Sequence, residues 1–197
     1  MGATMRRLIF FACLAFFANM LFAQGKLSER LPLPKELQGE LPWFAMVAKD
    51  DDGNYNGILS KDKLRAIAKQ RNSKRVVLAF YATWCIPCRE GLTRISNNAA
   101  ELEKNSVLVV LVNVGEEDFG KVSKWVSGYV KDGWVLGFDK FNNIPANFGL
   151  SKNGGEMPLP GILLLDQNLR SLLLIGQEGD DFPKILFSEY KLKGLTD

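Results

Sequence analysis

Cys85 and Cys88, separated by two residues in Trp84-Cys85-Ile86-Pro87-Cys88, are the side chains whose type and spacing point most directly to chemistry. Ahead of them Arg75–Tyr81 (RVVLAFY) is β-branched and aromatic, the composition of a buried strand. Behind them Leu92, Ile95, Ala99 and Leu102 keep helical spacing. The pair therefore sits where a strand feeds a helix. The first turn of a helix has unpaired N–H groups and a partial positive charge. A sulfur there is stabilised as thiolate, its pKa falling from ~8.5 to between ~3.5 and ~7.5. Cys85, nearest the helix end and solvent, is the expected nucleophile. Cys88, one turn on, is placed to resolve the mixed disulfide that such an attack forms. Pro87 has no N–H to leave unpaired in the first turn, and its φ suits the start of a helix. Ile86 and Pro87 together are expected to tune the redox poise of the pair.

Composition removes most competing chemistries. The chain has 3 cysteines and no histidine, which excludes Ser-His-Asp hydrolysis, Cys-His proteolysis and any His-ligated metal. Structural zinc wants four ligands, and there is no second CxxC, so no metal is expected. A purely structural disulfide across so short a loop would remove little unfolded-state entropy. Redox use of the pair remains, with no cofactor beyond a Cys85–Cys88 disulfide. At 197 residues, 47% hydrophobic and 24% charged, the chain reads as one ordinary globular domain. A net charge of +3 gives no electrostatic reason to expect a nucleic-acid partner.

Arg6 and Arg7 precede an apolar run from Leu8 to Ala23, the parts of a secretory signal peptide over residues 1–23. The run is shorter than the ~20 residues a spanning helix needs, and an uncleaved anchor is the alternative. Either way the globular part is expected outside the cytoplasmic membrane. Cys13 lies within this run and reads as a small hydrophobe.

Residues 24–41 mix Gly, Pro, Ser and charges and read as an exposed lead-in to a domain over 42–197. WFAMVA and YNGIL, joined by a turn at Asp50–Gly53, form a candidate hairpin, and Ser60 is a candidate helix cap. Val107–Val114 is the uninterrupted apolar run of a strand covered on both faces. A helix follows through Phe119, Val122, Trp125, Val126, Tyr129 and Val130, then a short strand at 134–138 and a helical turn at 142–149. Trp125 and Trp134 read as core, and Gly154-Gly155 as a flexible turn. Ile162–Leu165 and Leu172–Ile175 flank a turn at Asp166–Asn168, and Asp180–Lys193 closes the chain as an amphipathic helix. Strands alternate with helices before a final hairpin, which predicts a single-domain α/β sandwich.

FYATWCIPCRE resembles the active-site segment of the thioredoxin superfamily, and specifically its exported TlpA/ResA-like thiol-disulfide reductases. The resemblance runs from about Pro42 to Tyr190. PWFAMVAKDDDG resembles that branch's N-terminal hairpin, LVVLVNVGEE its central strand, and MPLPGILLLD the segment in which a cis-proline precedes the final hairpin. It implies a thioredoxin-like three-layer sandwich with a central mixed β-sheet and an N-terminal β-hairpin extension. It also implies Cys85 as nucleophile, Cys88 as resolver and Pro160 as the cis-proline beside them. A cis bond would turn the Leu159 backbone outward, where an extended substrate segment can pair with it. Trp84, next to the nucleophile, is expected to shield it or touch substrate, or else to pack.

The implied partners are protein thiols and disulfides, with electrons from a membrane thiol carrier and cytochrome c maturation among the implied tasks. Three departures matter. The buried acid of thioredoxins falls at Ala79, its lysine partner at Leu111, and the glutamate of ResA-like reductases at Gly91. Glu90, one position away, is turned about 100° around the helix and is the remaining candidate proton acceptor for Cys88. Its alternative is a solvated carboxylate favouring the helix dipole. The rival readings are a disulfide oxidase or isomerase, a peroxidase, and a non-catalytic thioredoxin-like binding module. Oxidants often carry a helical insertion and a histidine between the cysteines, where this chain has Ile-Pro. A peroxidatic cysteine usually follows Thr or Ser by three residues, where this chain has Ala82.

Overall fold

Val107–Asn113 is buried at every position, and apolar at all but Asn113, because it lies at the middle of a sheet covered on both sides. A computed structural model describes residues 27–48, 55–151 and 157–179, with Phe182, Ile185 and Leu186. Its strands are β1 (Arg30–Leu31), β2 (Ala45–Ala48), β3 (Gly57–Ser60), β4 (Arg75–Tyr81), β5 (Val107–Asn113), β6 (Val135–Phe138), β7 (Gly161–Asp166) and β8 (Ser171–Ile175). Its α-helices are α1 (Lys61–Gln70), α2 (Ile86–Asn97), α3 (Ala99–Lys104), α4 (Phe119–Val126) and α5 (Ile144–Asn147). The expected signal peptide, the turn at 50–53, Gly154-Gly155 and most of the closing helix lie outside the described residues.

The strands form one mixed sheet in the order β1-β8-β7-β4-β5-β6-β2-β3. β4, β5 and β6 run parallel, while β7 is antiparallel to β4 and β2 antiparallel to β6. Because side chains alternate along a strand, each central strand feeds two cores. Val76, Leu78, Phe80, Leu108, Val110 and Val112 face one way, against α1, α5 and the N-terminal segment. Val77, Ala79, Tyr81, Val109 and Leu111 face the other, against α2, α4 and the buried Phe182, Ile185 and Leu186. This is the expected thioredoxin-like sandwich, hairpin extension included, since β2 and β3 pair antiparallel.

Local signals hold in several places. The Ser60 hydroxyl accepts from Lys63 N at 3.3 Å and caps α1. In the β7–β8 turn the Asp166 carboxylate accepts from the backbone of Asn168 and Arg170 at 2.8 and 2.9 Å. The apolar stripe from Leu92 to Leu102 is not one helix. It breaks at Asn98, whose side-chain amide donates to Arg94 O at 2.8 Å and competes with the helical ladder.

The lead-in differs from expectation. From residue 27 onward it is docked: Leu37 and Leu41 are fully buried, and Leu41 N and Ser171 N exchange hydrogen bonds with Leu169 and Gly39 across the β7–β8 turn. β1 adds a strand to the edge at β8, pairing Arg30 with Ile175 and Leu31 with Leu174. Sparse apolar residues among prolines and charges show no period, but two leucines suffice to seat a segment on a sheet edge already rich in unpaired backbone groups. Replacing Leu41 by Ala is expected to cost about 2–5 kcal/mol of unfolding free energy, the range for a buried leucine. Urea unfolding reads this directly; an unchanged midpoint would return residues 27–41 to the status of a tether.

Candidate active site

β4 ends at Tyr81, and four residues later Cys85 is the N-cap of α2. Cys85 Sγ lies 3.2 Å from Cys88 N, at the positive end of the helix, and Pro87 stands within its first turn. The two sulfurs are joined, with an S–S distance of 2.01 Å and Cα atoms 5.3 Å apart, so the pair is seen in its oxidised form. Both cysteines are buried, Cys85 at 4% exposure and Cys88 at 2%. Trp84 and Ile86 are exposed at 66% and 70%. Trp84 therefore does not pack, and the disulfide sits between two outward-facing apolar side chains. Among the described residues no group of three or more His, Cys, Asp or Glu is arranged to hold a metal ion.

The Leu159–Pro160 peptide bond is cis. β7 begins at the next residue, and Gly161 is the register partner of Phe80, so Pro160 meets the same end of the sheet as the Cys85 loop. Leu159 is half-buried and touches both cores. Beside Pro160 an apolar groove of about 210 Å³ is walled by Met157, Pro158 and Leu150 and, from the docked N-terminal segment, Leu31 and Pro34.

Two acidic residues absent from the sequence reading hold the site together. Glu116 follows Gly115, whose φ of +72° makes a reversal that other residues resist. Its carboxylate then reaches back to the loop before Cys85. Oε2 accepts from Thr83 N and from Asn113 Nδ2, each at 2.7 Å, and Oε1 from the Thr83 hydroxyl at 2.5 Å. Tyr81 lies beneath, stacked on Trp125 with centroids 5.9 Å apart, and the Arg89 guanidinium lies 5.7 Å from the Trp125 centroid. Trp125 and Trp134 are half-buried rather than interior. Burial, and then the nearby Glu116 charge, push the Tyr81 phenol far above its ordinary range, so it stays protonated.

The second is Glu178, in the loop after β8. A Cβ on Gly91 would collide with both of its carboxylate oxygens, so this acid fills the space that glycine leaves open on α2. Glu178 is 4% exposed. Its Oε2 is 4.0 Å from Arg94 Nη1. Burial pushes its pKa up to about 7, against the opposing pull of Arg94 and a backbone hydrogen bond, and Glu90 adds a smaller upward push. The residues just before β1 position the loop: Glu29 N donates to Gln177 O at 2.7 Å, Gly176 N to Glu29 O at 2.9 Å, and Gly179 N to the Ser28 hydroxyl at 2.8 Å. Ala79 and Leu111 are register partners, both buried and apolar, so the sheet offers no acid beneath the disulfide. Glu90, the sequence candidate for proton acceptor, turns outward with its carboxylate 68% exposed and 3.9 Å from Arg94 Nη2. One position on a helix moves a side chain by about 100°, and here Glu90 faces solvent rather than the space beside Gly91.

A disulfide at a helix N-terminus, a cis-proline at the same sheet end and this strand order define a thioredoxin-like thiol-disulfide oxidoreductase. The model of the AhpC/TSA family matches residues 50–171, and the chain belongs to that family. Solved structures share the fold. One is described as a disulfide isomerase from Bacteroides thetaiotaomicron, at 16% identity and TM-score 0.58 over 84% of this chain and 93% of that one. Another is the thioredoxin domain of a thiol-disulfide oxidoreductase from Bacteroides vulgatus, at 14% identity and TM-score 0.56 over 79% and 96%. A third is described as the thiol:disulfide interchange protein DsbE from Chlorobium tepidum, at 19% identity and TM-score 0.52 over 84% and 94%. No curated protein sequence gives a significant match.

Two measurements test this construction. Glu116→Ala leaves Thr83 N and the Thr83 hydroxyl without their acceptor and is expected to cost about 1–3 kcal/mol in urea unfolding. It should also slow thiol-disulfide exchange, because the Cys85 loop loses its anchor. Glu178 prefers its protonated form when folded, so its contribution is fully present below its ordinary pKa of 4.5 and is lost as pH rises through about 7. Relative to Glu178→Gln, the native chain should lose about 3 kcal/mol of stability across that window. Parallel curves of stability against pH would show that Glu178 is not perturbed.

Proposed function

We propose that this protein is an extracytoplasmic reductase of protein disulfides, acting through Cys85 and Cys88. The observation that carries the reading is the placement of the Cys85–Cys88 disulfide at the start of α2, between the exposed apolar side chains of Trp84 and Ile86. Cys85 thiolate attacks one sulfur of a substrate disulfide, forming a mixed disulfide and releasing the other substrate sulfur as thiolate. Cys88 thiolate then attacks Cys85, the second substrate sulfur leaves, and the two electrons of the dithiol have passed to substrate. A thiol donor at the membrane restores the reduced pair. Leu159 and Pro160 offer backbone to an extended substrate segment, Trp84 supplies apolar contact, and Ile86 and Pro87 set the potential.

The reductase direction is supported by Ile-Pro between the cysteines and by the lack of any histidine. Among the described residues the connections from α2 to β5 hold only the short helix α3, with no inserted helical subdomain. Export is supported by the signal-like residues 1–23, and no described helix is long and apolar enough to cross a membrane. Among substrates the reading favours cysteine pairs of apocytochrome c, by resemblance to TlpA/ResA-like reductases.

Cys85→Ser is expected to abolish exchange, and Cys88→Ser to accumulate mixed disulfides that separate on non-reducing gels. A reduction potential near ~−270 mV by glutathione equilibration supports the reductase, whereas ~−120 mV reverses its direction. If neither cysteine variant changes exchange or trapping, the binding-module reading replaces the enzyme.

A further inference from the structure

We propose that Glu178, reaching α2 from the loop after β8, is the proton acceptor for Cys88, in the space left open by Gly91. The proposal rests on the oxidoreductase reading and adds the group that reading lacks. Cys88 is buried, and its thiol must lose a proton before its sulfur can attack Cys85. Water alone reaches such a group poorly, so an acceptor within the fold is needed.

Among the described residues geometry selects one. Gly91 is three residues after Cys88 on α2, and Cβ positions three apart on a helix lie about 5–6 Å from each other. Both carboxylate oxygens of Glu178 occupy the Cβ position of Gly91, which sets them beside the Cys88 face of α2, within about 8 Å of the Cys88 Cβ. Other groups fail on position or chemistry. Ala79 and Leu111 carry no acid or base, Glu90 is in solvent, and Glu116 is committed to Thr83 and Asn113. The Tyr81 phenol is held protonated by burial.

The charged neighbours make Glu178 fit for the task. Arg94 on α2 lies 4.0 Å from its carboxylate, Glu90 on the same helix repels it, and Glu29 lies over Gly176 on the paired β1 segment. Burial outweighs Arg94, so the carboxyl changes protonation near neutral pH. In the forward step the Cys88 proton passes to Glu178 as the Cys85–Cys88 bond forms and the substrate thiolate leaves; Glu178 then releases the proton to solvent. In reverse, protonated Glu178 returns it to Cys88 when a donor thiol reopens the disulfide. Gly91 and Glu178 together thus take the place of one glutamate on the helix.

The test is single-turnover reaction of the reduced full chain with an oxidised cysteine peptide, quenched in acid and read by mass spectrometry between pH 5 and 9. In Glu178→Gln, attack by Cys85 should be unchanged while resolution slows at least tenfold at pH 7, so mixed disulfide accumulates. The rise of the resolution rate through pH 7, present in the native chain, should vanish. Gly91→Glu/Glu178→Ala returns a carboxylate to the same space from the helix and should recover that inflection; a role in packing alone would not be rescued this way. An inflection retained in Glu178→Gln, or a swapped variant as slow as Glu178→Gln, overturns the proposal. The Cys88→Ser chain separates the two levels. If it forms mixed disulfide while Glu178→Gln behaves as native, only the acceptor is wrong; if it forms none, the oxidoreductase reading falls with it.

Discussion

The parallel ladder between β4 and β5 is the interaction on which the rest of this structure depends. Seven register pairs, from Arg75 with Val107 to Tyr81 with Asn113, hold two strands whose side chains are buried on both faces for nearly their whole length. Burial on two faces fixes the register, because a slip of one residue would exchange the two cores. With the register fixed, the ends of the strands are fixed too, and at those ends the chemistry is assembled. Tyr81 O accepts from Val114 N, Asn113 and Thr83 meet at Glu116, and the turn from Ala82 O to Cys85 N aims α2. The helix start that carries Cys85 is thus positioned by an apolar ladder that contains no charge beyond Arg75.

That same apolar ladder creates a difficulty. A thiol buried against it has nowhere to send a proton, because Ala79 and Leu111, the paired positions beneath the disulfide, are both hydrocarbon. An acid on the sheet would carry its desolvation cost at the most densely packed point of the fold. Glu178 carries that cost at the margin, where one side is closed by α2 and the other by the N-terminal segment, and where Arg94 offsets part of it. Glycine at 91 then has a definite reason: a side chain there would displace the carboxylate.

How much of this was legible in the sequence follows from the range of the interactions. The cysteine pair, its strand and helix, the Ser60 cap, the cis-proline at 160 and the β7–β8 hairpin are carried by contiguous residues, and local patterns with a family resemblance reveal them. Glu116 lay within the quoted central-strand segment, but its role depends on a reversal at Gly115 and on Thr83, 33 residues away. Glu178 has no local signal, being one acid in a polar loop. Its meaning appears only when Gly91, a departure from the resembling family, is set against it in space. The lead-in misled for a related reason: its prolines and charges conceal two leucines that reach the core.

The docking of that lead-in connects the fold to the chemistry. Ser28 and Glu29 bind the backbone on both sides of Glu178, so the acid's position is set by a segment more than 140 residues away in the chain. A glutamate on α2 would move with its helix and with the cysteines it serves. Glu178 instead depends on tertiary contacts made by Ser28 and Glu29, just before β1, each a modest hydrogen bond in net free energy. The same segment supplies Leu31 and Pro34 to the groove beside Pro160. The docked N-terminal segment therefore bears on both the position of Glu178 and the wall against which a substrate segment would lie.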